Sequence, residues 1–137
     1  MKKKIFIMII IILCFALEGC KNKDSTIKDI KADSYNISFE DSIIYNSMGN
    51  VDESSVKSLV EKYNNIELAG ATERQGSWKT SVCIKFIYNN QSSGQIYIFD
   101  NGICSFNGLD NYIISEDSNI YENALKAHIE LKNKFKS

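Results

Sequence analysis

Histidine and cysteine are the side chains best suited to act as nucleophiles, bases or metal ligands, and this chain has one histidine and four cysteines. His128 falls on a predicted helix, beside an apolar stripe, where a histidine packs more often than it reacts. The composition leaves a serine–histidine–aspartate arrangement open, but no glycine-flanked nucleophile motif accompanies it. We expect His128 to be a packed side chain. A small wall-modifying hydrolase that uses His128 with a nearby carboxylate is the alternative.

Metal sites usually combine histidine, cysteine and carboxylate side chains at recognisable spacing, which one histidine and separated cysteines do not provide. Asp110, Glu116 and Asp117 could hold Ca²⁺ weakly, but they lack the spacing of an EF-hand loop, so we expect turn and cap roles. The glycines stand singly, so no phosphate-cradling loop is visible. Arg74, the only arginine, lies in a predicted turn and is expected to be a surface charge. The sequence therefore predicts no catalytic residue, metal site or cofactor.

The N-terminal segment combines three lysines, at positions 2, 3 and 4, with an uncharged apolar run from Ile5 to Leu17. This run has 13 residues, whereas a membrane-spanning helix needs about 20. It has the length of the apolar core of a secretory signal, about 7–15 residues. An uncleaved anchor helix and an ordinary signal peptide with a coincidental cysteine are two alternatives to a lipoprotein signal.

The residues Leu17, Glu18, Gly19 and Cys20 stand where such a signal would be cleaved. They resemble the lipobox of bacterial lipoproteins, although Glu18 departs from the usual pattern. The resemblance implies that Cys20 receives a diacylglyceryl thioether and becomes the first mature residue. Two acyl chains are sufficient for stable anchoring. We therefore expect a protein that is lipid-anchored at the extracytoplasmic face of the cell membrane.

Composition and length constrain the part of the chain after this signal. Three of the 16 basic and one of the 17 acidic residues precede Cys20, which leaves a net charge of −3 after it. Such a balance favours no nucleic-acid partner. The chain has no proline, which argues against a stiff stalk. We predict a signal peptide over residues 1–19, a lipidated cysteine with a flexible tether over residues 20–34, and a single domain over residues 35–137.

Hydrophobic periodicity predicts the first elements of that domain. Residues 35–47 alternate with period two, as in a strand or a bent hairpin arm. Asp52 can cap a helix that places an apolar stripe at positions 56, 59, 60 and 63 and ends at Asn64 and Asn65. A second helix is predicted over residues 117–134, with lysines near its C-terminal end, where the helix dipole favours cations.

The strongest alternation in the chain runs from Trp78 to Tyr88 and predicts a half-buried strand, with the face that carries Trp78 in the core. We then expect a six-residue loop, a strand from Gln95, a two-residue turn at Asn101-Gly102, and two further short strands separated by a turn at residues 107–108. Strands between two helices indicate an α+β domain, an antiparallel β-meander packed against one or two helices.

The same alternation bears on the two cysteines that come after Cys20. With a six-residue loop, Ile84 lies opposite Phe99, and Cys104 points with them into the core. Cys83 points to the other face and lies two strands away. That is about 10 Å, beyond the roughly 7 Å between Cα atoms that a disulfide allows. We predict that neither cysteine is disulfide-bonded.

Aromatic residues are concentrated in the meander, and most of them are needed for the core. The other face would carry four isoleucines, at positions 87, 96, 98 and 103. If this face is left uncovered, it would be an apolar patch of the kind that marks a partner site.

The whole pattern resembles small lipoproteins of Gram-positive bacteria whose function is unknown. The residues that carry the resemblance are LEGC, DESSVKSLVEKY, SWKTSVCIKFIY, GQIYIFDNG and SFNGLDNYIIS. It implies no catalytic residue. We expect a non-enzymatic envelope lipoprotein that binds a protein, a peptide or a cell-wall component, through the sheet or its edge. An inhibitor or immunity-type module is an alternative within the class of binders.

Overall fold

The computed structural model describes residues 29–40, 42–108, 111–114 and 119–136. Two α-helices and one antiparallel sheet of seven strands make up this part of the chain. The predicted signal peptide, Cys20, and the acidic residues Asp110, Glu116 and Asp117 lie outside the described residues. The predicted α+β class, an antiparallel meander packed against two helices, is confirmed.

Helix α1, Glu53–Asn64, begins where the sequence predicts it. The Asp52 side chain accepts a hydrogen bond from the Ser55 backbone N–H at 2.9 Å, which satisfies a donor that the first helical turn leaves unpaired. Hydrogen bonds from Ser54 and Ser55 hold the pKa of the Asp52 carboxyl below its ordinary value. Val56 and Tyr63 are the buried side chains of this helix, so it packs along the predicted stripe.

Helix α2, Ile120–Lys134, buries a stripe that includes Ala124, His128 and Leu131. These positions are four and three residues apart, so they share one face of the helix. Lys132 and Lys134 lie in its last turn, as predicted.

The strands run in the order β2-β1-β4-β5-β6-β7-β3 across the sheet. Their bounds are β1 Ser34–Phe39, β2 Tyr45–Asn46, β3 Leu68–Thr72, β4 Val82–Tyr88, β5 Gln91–Ile98, β6 Ile103–Phe106 and β7 Asn111–Ile114. Strand β3, which pairs with β7 at one edge of the sheet, was not predicted from the sequence. Its residues, LAGAT, lack the alternation of large apolar side chains on which the other predictions depend.

One face of the sheet forms the core, which we call the core face. In β4, Val82, Ile84 and Phe86 are fully buried there. Both helices cover this face, since Val56 and Tyr63 of α1 and Ala124 and Leu131 of α2 belong to the same apolar cluster as the β4 side chains. The Tyr63 and Phe86 rings meet edge to face, with 5.6 Å between their centroids.

The prediction that Trp78 shares this buried face is wrong. Residues Trp78–Thr80 form a 3₁₀ turn and β4 begins only at Val82. The turn interrupts the alternation, and Trp78 lies against the Tyr97 ring. Tyr97 pairs with Cys83, and both side chains point away from the core. We call this side of the sheet the cleft face. The Trp78 side chain is 52% exposed.

The predicted six-residue loop is also wrong. Strand β5 begins at Gln91, and Asn89 and Asn90 form a two-residue turn with φ of 50° and 61°. Both angles are positive, as a type I′ hairpin turn requires. The shorter turn moves the partner of Ile84 back from the predicted Phe99, and a bulge between Phe86 and Ile87 shifts the pairing by one residue, so that Ile84 lies opposite Ile96.

This register moves two isoleucines away from the predicted patch. Ile96 and Ile98 lie on the core face and are fully buried. Ile103 is also buried, and only Ile87 of the four is partly exposed. The predicted apolar patch of residues 87, 96, 98 and 103 is therefore absent from the part of the sheet that the structure describes.

The prediction that neither Cys83 nor Cys104 is disulfide-bonded is confirmed, although the strand register from which we derived it is wrong. Cys104 lies opposite Ile98 and points into the core, whereas Cys83 lies opposite Tyr97 on the cleft face. Their strands are separated by β5, and neither cysteine is disulfide-bonded. The connection before β6 is longer than predicted, because Phe99 N–H pairs with Ile103 and leaves residues 100–102 as a three-residue turn.

The packed domain begins before residue 35. Ile30 is 4% exposed, and its backbone forms a reciprocal pair of hydrogen bonds with the Asn64 side chain, at 2.7 and 2.9 Å. Asp33 N–H donates to the Ile87 carbonyl at 2.9 Å. The last part of the segment that we predicted as a tether, residues 30–34, is therefore packed on the domain.

Candidate functional site

The strongest candidate for a site lies on the cleft face, where a turn before β4 brings an exposed tryptophan against the sheet. The Trp78 carbonyl accepts hydrogen bonds from the Ser81 N–H at 3.3 Å and the Ser81 hydroxyl at 3.0 Å. These bonds close the turn and direct the indole over Tyr97 and Phe99. The ring centroids of those two residues lie 4.9 and 5.2 Å from that of Trp78, with interplanar angles of 85° and 79°.

The segment before Trp78 can approach the sheet because it contains a glycine. A Cβ atom on Gly76 would lie 2.0 Å from Cγ of Phe99, well inside van der Waals contact. Phe99 is 2% exposed and forms the floor under the turn. The close approach of Gly76 thus fixes the Phe99 ring and the path of the chain into Trp78.

Tyr97 is held from the other side. The Gln95 side-chain Nε2 donates to the Tyr97 hydroxyl at 2.8 Å and lies 3.1 Å from Sγ of Cys83. Gln95 is itself fixed by two hydrogen bonds with Asn107: the Asn107 N–H donates to the Gln95 carbonyl at 2.7 Å, and the Gln95 N–H donates to the Asn107 side-chain Oδ1 at 2.9 Å. The tyrosine ring is therefore positioned by hydrogen bonds before any ligand arrives.

Together these residues form a cleft of about 350 Å³. We call it the aromatic cleft and define it by three rings and three neutral polar side chains: Trp78, Tyr97, Phe99, Gln75, Ser105 and Asn111. None of the described residues that line it is charged. The arrangement can stack on a ligand and exchange hydrogen bonds with it, but it has no described carboxylate, histidine or lysine to transfer a proton.

The aromatic cleft lies toward the end of the sheet that is opposite to the point where the chain joins the domain. The chain joins at the Tyr88 end of β4, where Asp33 pairs with Ile87 and its carboxylate accepts from the Asn89 N–H at 2.9 Å. Tyr97 of the cleft pairs with Cys83 at the other end. Ile87 follows Cys83 by four positions in β4, a distance of about 13 Å along the strand.

A second concavity lies between the helices and is polar. It has about 360 Å³ and lies between Ser54, Ser58 and Lys62 of α1 and Asn123, Lys126 and Glu130 of α2. The Lys126 and Glu130 side chains are 3.9 Å apart and largely exposed, so this ion pair contributes little. The groove is the solvated side of two packed helices.

His128 lies in the core, away from both concavities. It is 4% exposed and sits between the rings of Phe39 and Tyr45, with centroid distances of 5.8 and 5.5 Å. Neither ring nitrogen has a hydrogen-bond partner among the described residues. Burial, together with the charge of Lys132, lowers the pKa of His128. No hydrogen bond joins His128 to a described carboxylate, so the partner that the hydrolase alternative requires is not found among the described residues.

The other residues singled out in the sequence lie away from the cleft. Cys104 is buried in the core, and burial raises the pKa of its thiol to about 12. Arg74 is exposed beyond the end of β3, and its backbone N–H donates to the Thr72 hydroxyl at 3.2 Å. Within the described ranges, no three histidine, cysteine or acidic side chains are grouped to hold a metal ion.

Sequence reasoning missed the aromatic cleft because it placed Trp78 in the core. The signal that could have revealed it is Gly76-Ser77 immediately before Trp78, with Thr80 and Ser81 after it. Small and hydroxyl residues around one large ring are typical of a turn rather than of a strand.

No family model, curated protein or solved structure matches this chain. Among the described residues, neither helix has the length and apolar character needed to cross a bilayer.

Proposed function

We propose that this protein is a non-enzymatic, lipid-anchored binder of the bacterial envelope that holds its ligand in the aromatic cleft. The anchor is the lipid expected on Cys20. The observation that carries the binding role is Trp78, which is half exposed although two rings are placed to receive it. Soluble domains usually bury tryptophan, and tryptophan and tyrosine are the side chains most enriched at recognition sites.

The position of the cleft supports this proposal. Ile30 follows Cys20 by ten positions, which span at most about 33–36 Å when fully extended. A lipid on Cys20 would keep the domain within that distance of the membrane. Because the chain joins the domain at the Tyr88 end of β4, the aromatic cleft would face away from the bilayer. That orientation suits capture of a ligand from the wall side.

The composition of the cleft supports binding rather than catalysis. Its described lining offers aromatic surface, amides and hydroxyl groups, which can stack and hydrogen-bond. His128, which the hydrolase alternative needs, is packed on the opposite face of the sheet between Phe39 and Tyr45. The proposal therefore assigns recognition to the cleft and no reaction step to any residue.

The anchor is tested by replacing Cys20 with serine in the producing bacterium. We expect the wild-type protein to partition into detergent with the membrane fraction and Cys20→Ser to accumulate as an uncleaved precursor. Intact-protein mass spectrometry of the wild type should show loss of residues 1–19 and the mass of a lipid on Cys20. A wild-type protein that retains Met1, or that carries an unmodified Cys20, would contradict the lipid anchor.

The binding role is tested with two matched aromatic substitutions in β4 and its preceding turn. Purified full-length Trp78→Ala and Tyr88→Ala are each incubated with cell envelopes from which detergent has removed the membrane lipid, so that the lipid on Cys20 cannot hold the protein, and are then sedimented. Both remove an exposed ring, but only Trp78 belongs to the cleft. We expect Trp78→Ala to lose most of the retention and Tyr88→Ala to retain it. Equal retention of both variants and wild type would dismiss the cleft as the binding site.

One further observation favours the inhibitor or immunity-type alternative. Ile43 and Ile44, between β1 and β2, are 67% and 66% exposed, and they come after Glu40, whose N–H pairs with Ser81 at the cleft end of the sheet. Adjacent exposed isoleucines suit contact with a protein partner. If Ile43→Ser reduced envelope retention more than Trp78→Ala does, this alternative would replace the cleft proposal.

A further inference from the structure

We infer that the ligand of the aromatic cleft is a neutral glycan, one or two of whose sugar rings stack on Trp78. This inference rests on the proposed function, because it names the ligand class of the same site. The described lining of the cleft favours an uncharged ligand. None of its described residues carries a charge, so this part of the lining offers no ion-pair partner to a phosphate, a carboxylate or an ammonium group.

The rings of the cleft suit the face of a sugar. A pyranose ring presents polarised C–H groups on its flat side, and these are attracted to the negative face of an aromatic ring. Trp78 keeps 52% of its surface exposed because it contacts Tyr97 and Phe99 edge to face rather than stacking flat on them. An aromatic surface is therefore left available at the cleft.

The polar groups of the cleft suit the edge of a sugar. Each sugar hydroxyl both donates and accepts a hydrogen bond. The amides of Gln75 and Asn111 each provide donors and an acceptor together. A lining of amides and hydroxyl groups can thus satisfy a ligand that needs both kinds of partner at neighbouring atoms.

The size of the cleft sets the length of glycan that it holds. Its volume of about 350 Å³ lies at the lower end of the range of about 300–1,000 Å³ that is typical of small-ligand sites. This space accommodates one or two sugar rings, with the rest of the chain left outside. The site would therefore hold a short stretch or an end of a longer polymer.

A proline-rich peptide is the competing ligand, since aromatic grooves also bind extended proline helices. Such a peptide presents carbonyl acceptors and needs donors only. The amide oxygens of Gln75 and Asn111 would then be buried without donors, at a cost in free energy. We therefore commit to the glycan and use the peptide as a comparison in the test.

The chain offers a direct test, because Trp78 is its only tryptophan. Its fluorescence reports on the cleft alone. Full-length protein, kept in a detergent without a sugar headgroup, is titrated with the β-1,4-linked trimer of N-acetylglucosamine. Cellotriose and a proline-rich decapeptide are titrated in parallel. We expect a saturable change in Trp78 emission with at least one of the two oligosaccharides and none with the peptide.

Variants that keep the tryptophan complete the test. Gln75→Ala and Asn111→Ala each remove one amide, and we expect each to weaken oligosaccharide binding about three- to tenfold, as the loss of one hydrogen bond predicts. Tyr88→Ala, at the other end of β4, should bind as the wild type does. Unchanged affinity in both amide variants would overturn the inference, because the response would then not come from the cleft lining.

The outcomes separate the ligand class from the proposed function. If neither oligosaccharide changes the emission at millimolar concentration, the glycan inference is overturned. The proposed function then still stands if Trp78→Ala loses envelope retention, and a response to the decapeptide would assign the cleft to peptides. If Trp78→Ala retains envelope binding as well, both the glycan inference and the proposed binding site are overturned.

Discussion

The two faces of the sheet are built by different means, although β4 contributes alternate residues to both. The core face is mainly aliphatic and aromatic and is covered by α1 and α2, with Val82, Ile84 and Phe86 fully buried. The cleft face carries Cys83, Lys85 and partly exposed Ile87 on the same strand. Near the turn that precedes β4, this face carries the rings of Tyr97 and Phe99, and the turn places the exposed Trp78 against them.

This difference separates stability from recognition. On the core face, many apolar side chains pack together, so the position of each is fixed by its neighbours. On the cleft face, fewer contacts determine the site: the turn at Trp78, the approach of Gly76 to Phe99 and the hydrogen bond from Gln95 to Tyr97. Changes on the core face should therefore alter the free energy of unfolding, and changes on the cleft face should mainly alter binding. Five predictions test that separation, beginning with the largest effect.

The largest effect should result from Phe86→Ala on the core face. Phe86 is fully buried and contacts the Tyr63 ring, so its truncation should cost about 3–5 kcal/mol in the free energy of unfolding. Tyr88→Ala, two residues later and 44% exposed, should cost less than about 1 kcal/mol. Urea unfolding followed by circular dichroism measures both. Similar losses for the two variants would contradict the assignment of faces.

The next effect compares the two cysteines, one on each face. Burial raises the pKa of the Cys104 thiol to about 12, and its reaction requires local opening of the core. Cys83 is partly exposed. At pH 8, iodoacetamide should label Cys83 at least about a hundredfold faster than Cys104, as resolved by peptide mass spectrometry. In urea the two rates should converge. Faster labelling of Cys104 in the folded protein would contradict the assignment of Cys104 to the core face and of Cys83 to the cleft face.

Gly76→Ala should damage the cleft face at intermediate cost. The new Cβ would lie 2.0 Å from Cγ of Phe99, so the turn or the ring must move, at about 1–3 kcal/mol. Trp78 emission should shift as well. Gly94→Ala is the matched control, because its Cβ would meet the Phe106 ring at 3.4 Å, an ordinary contact. If Gly76→Ala leaves both stability and emission unchanged, the glycine does not position the turn.

The pH dependence of stability should identify His128 as a neutral core side chain. Burial lowers its pKa in the folded protein, so the folded state binds this proton less readily than the unfolded state does. Stability should be at its full value above about pH 6.5, the unfolded pKa, and should fall as the pH drops below that value. His128→Leu should remove this loss between pH 7 and 5, measured by thermal unfolding. A wild type that gains stability over that range would contradict the buried, unpaired imidazole.

The smallest effect should come from Tyr63→Phe. Tyr63 is fully buried, and its hydroxyl has no hydrogen-bond partner in the part of the chain that the structure describes. Burial raises the pKa of this phenol. Removing a buried polar group that is unpaired should leave stability unchanged or increase it by up to about 1 kcal/mol. A loss larger than that would mean that the hydroxyl is hydrogen-bonded in solution.

The contrast between the faces also explains which parts of the fold could be predicted from the sequence. The α1 cap at Asp52, the buried stripe of that helix and the alternation from Val82 to Phe86 depend on local chemistry, and the structure confirms them. The pairing register of β4 and β5 could not be predicted from the sequence. It depends on whether the turn consists of Asn89 and Asn90 alone or of all the polar residues up to Gly94. Both turn lengths are compatible with those residue types.

The candidate site could be predicted only in its composition. The aromatic residues were recognised as a group, but the 3₁₀ turn at Trp78 and the contact of Gly76 with Phe99 depend on tertiary packing. The alternation of Trp78, Thr80 and Val82 is compatible with a strand that begins at Trp78. Only the pairing of β4 with its neighbours shows that the strand begins at Val82. Edge strand β3 was missed for a related reason, because Ala69 and Ala71 give little hydrophobic contrast.

The reciprocal hydrogen bonds between Ile30 and Asn64 have a mechanical consequence. Tension between a fixed anchor and a bound polymer would enter at Ile30 and leave near Trp78, along the axis of β1. Six residue pairs join β1 to β4, and such a load shears them all at once instead of peeling them one after another. The domain would therefore be most resistant to a force along β1, which is the direction of the force that the proposed anchor would apply.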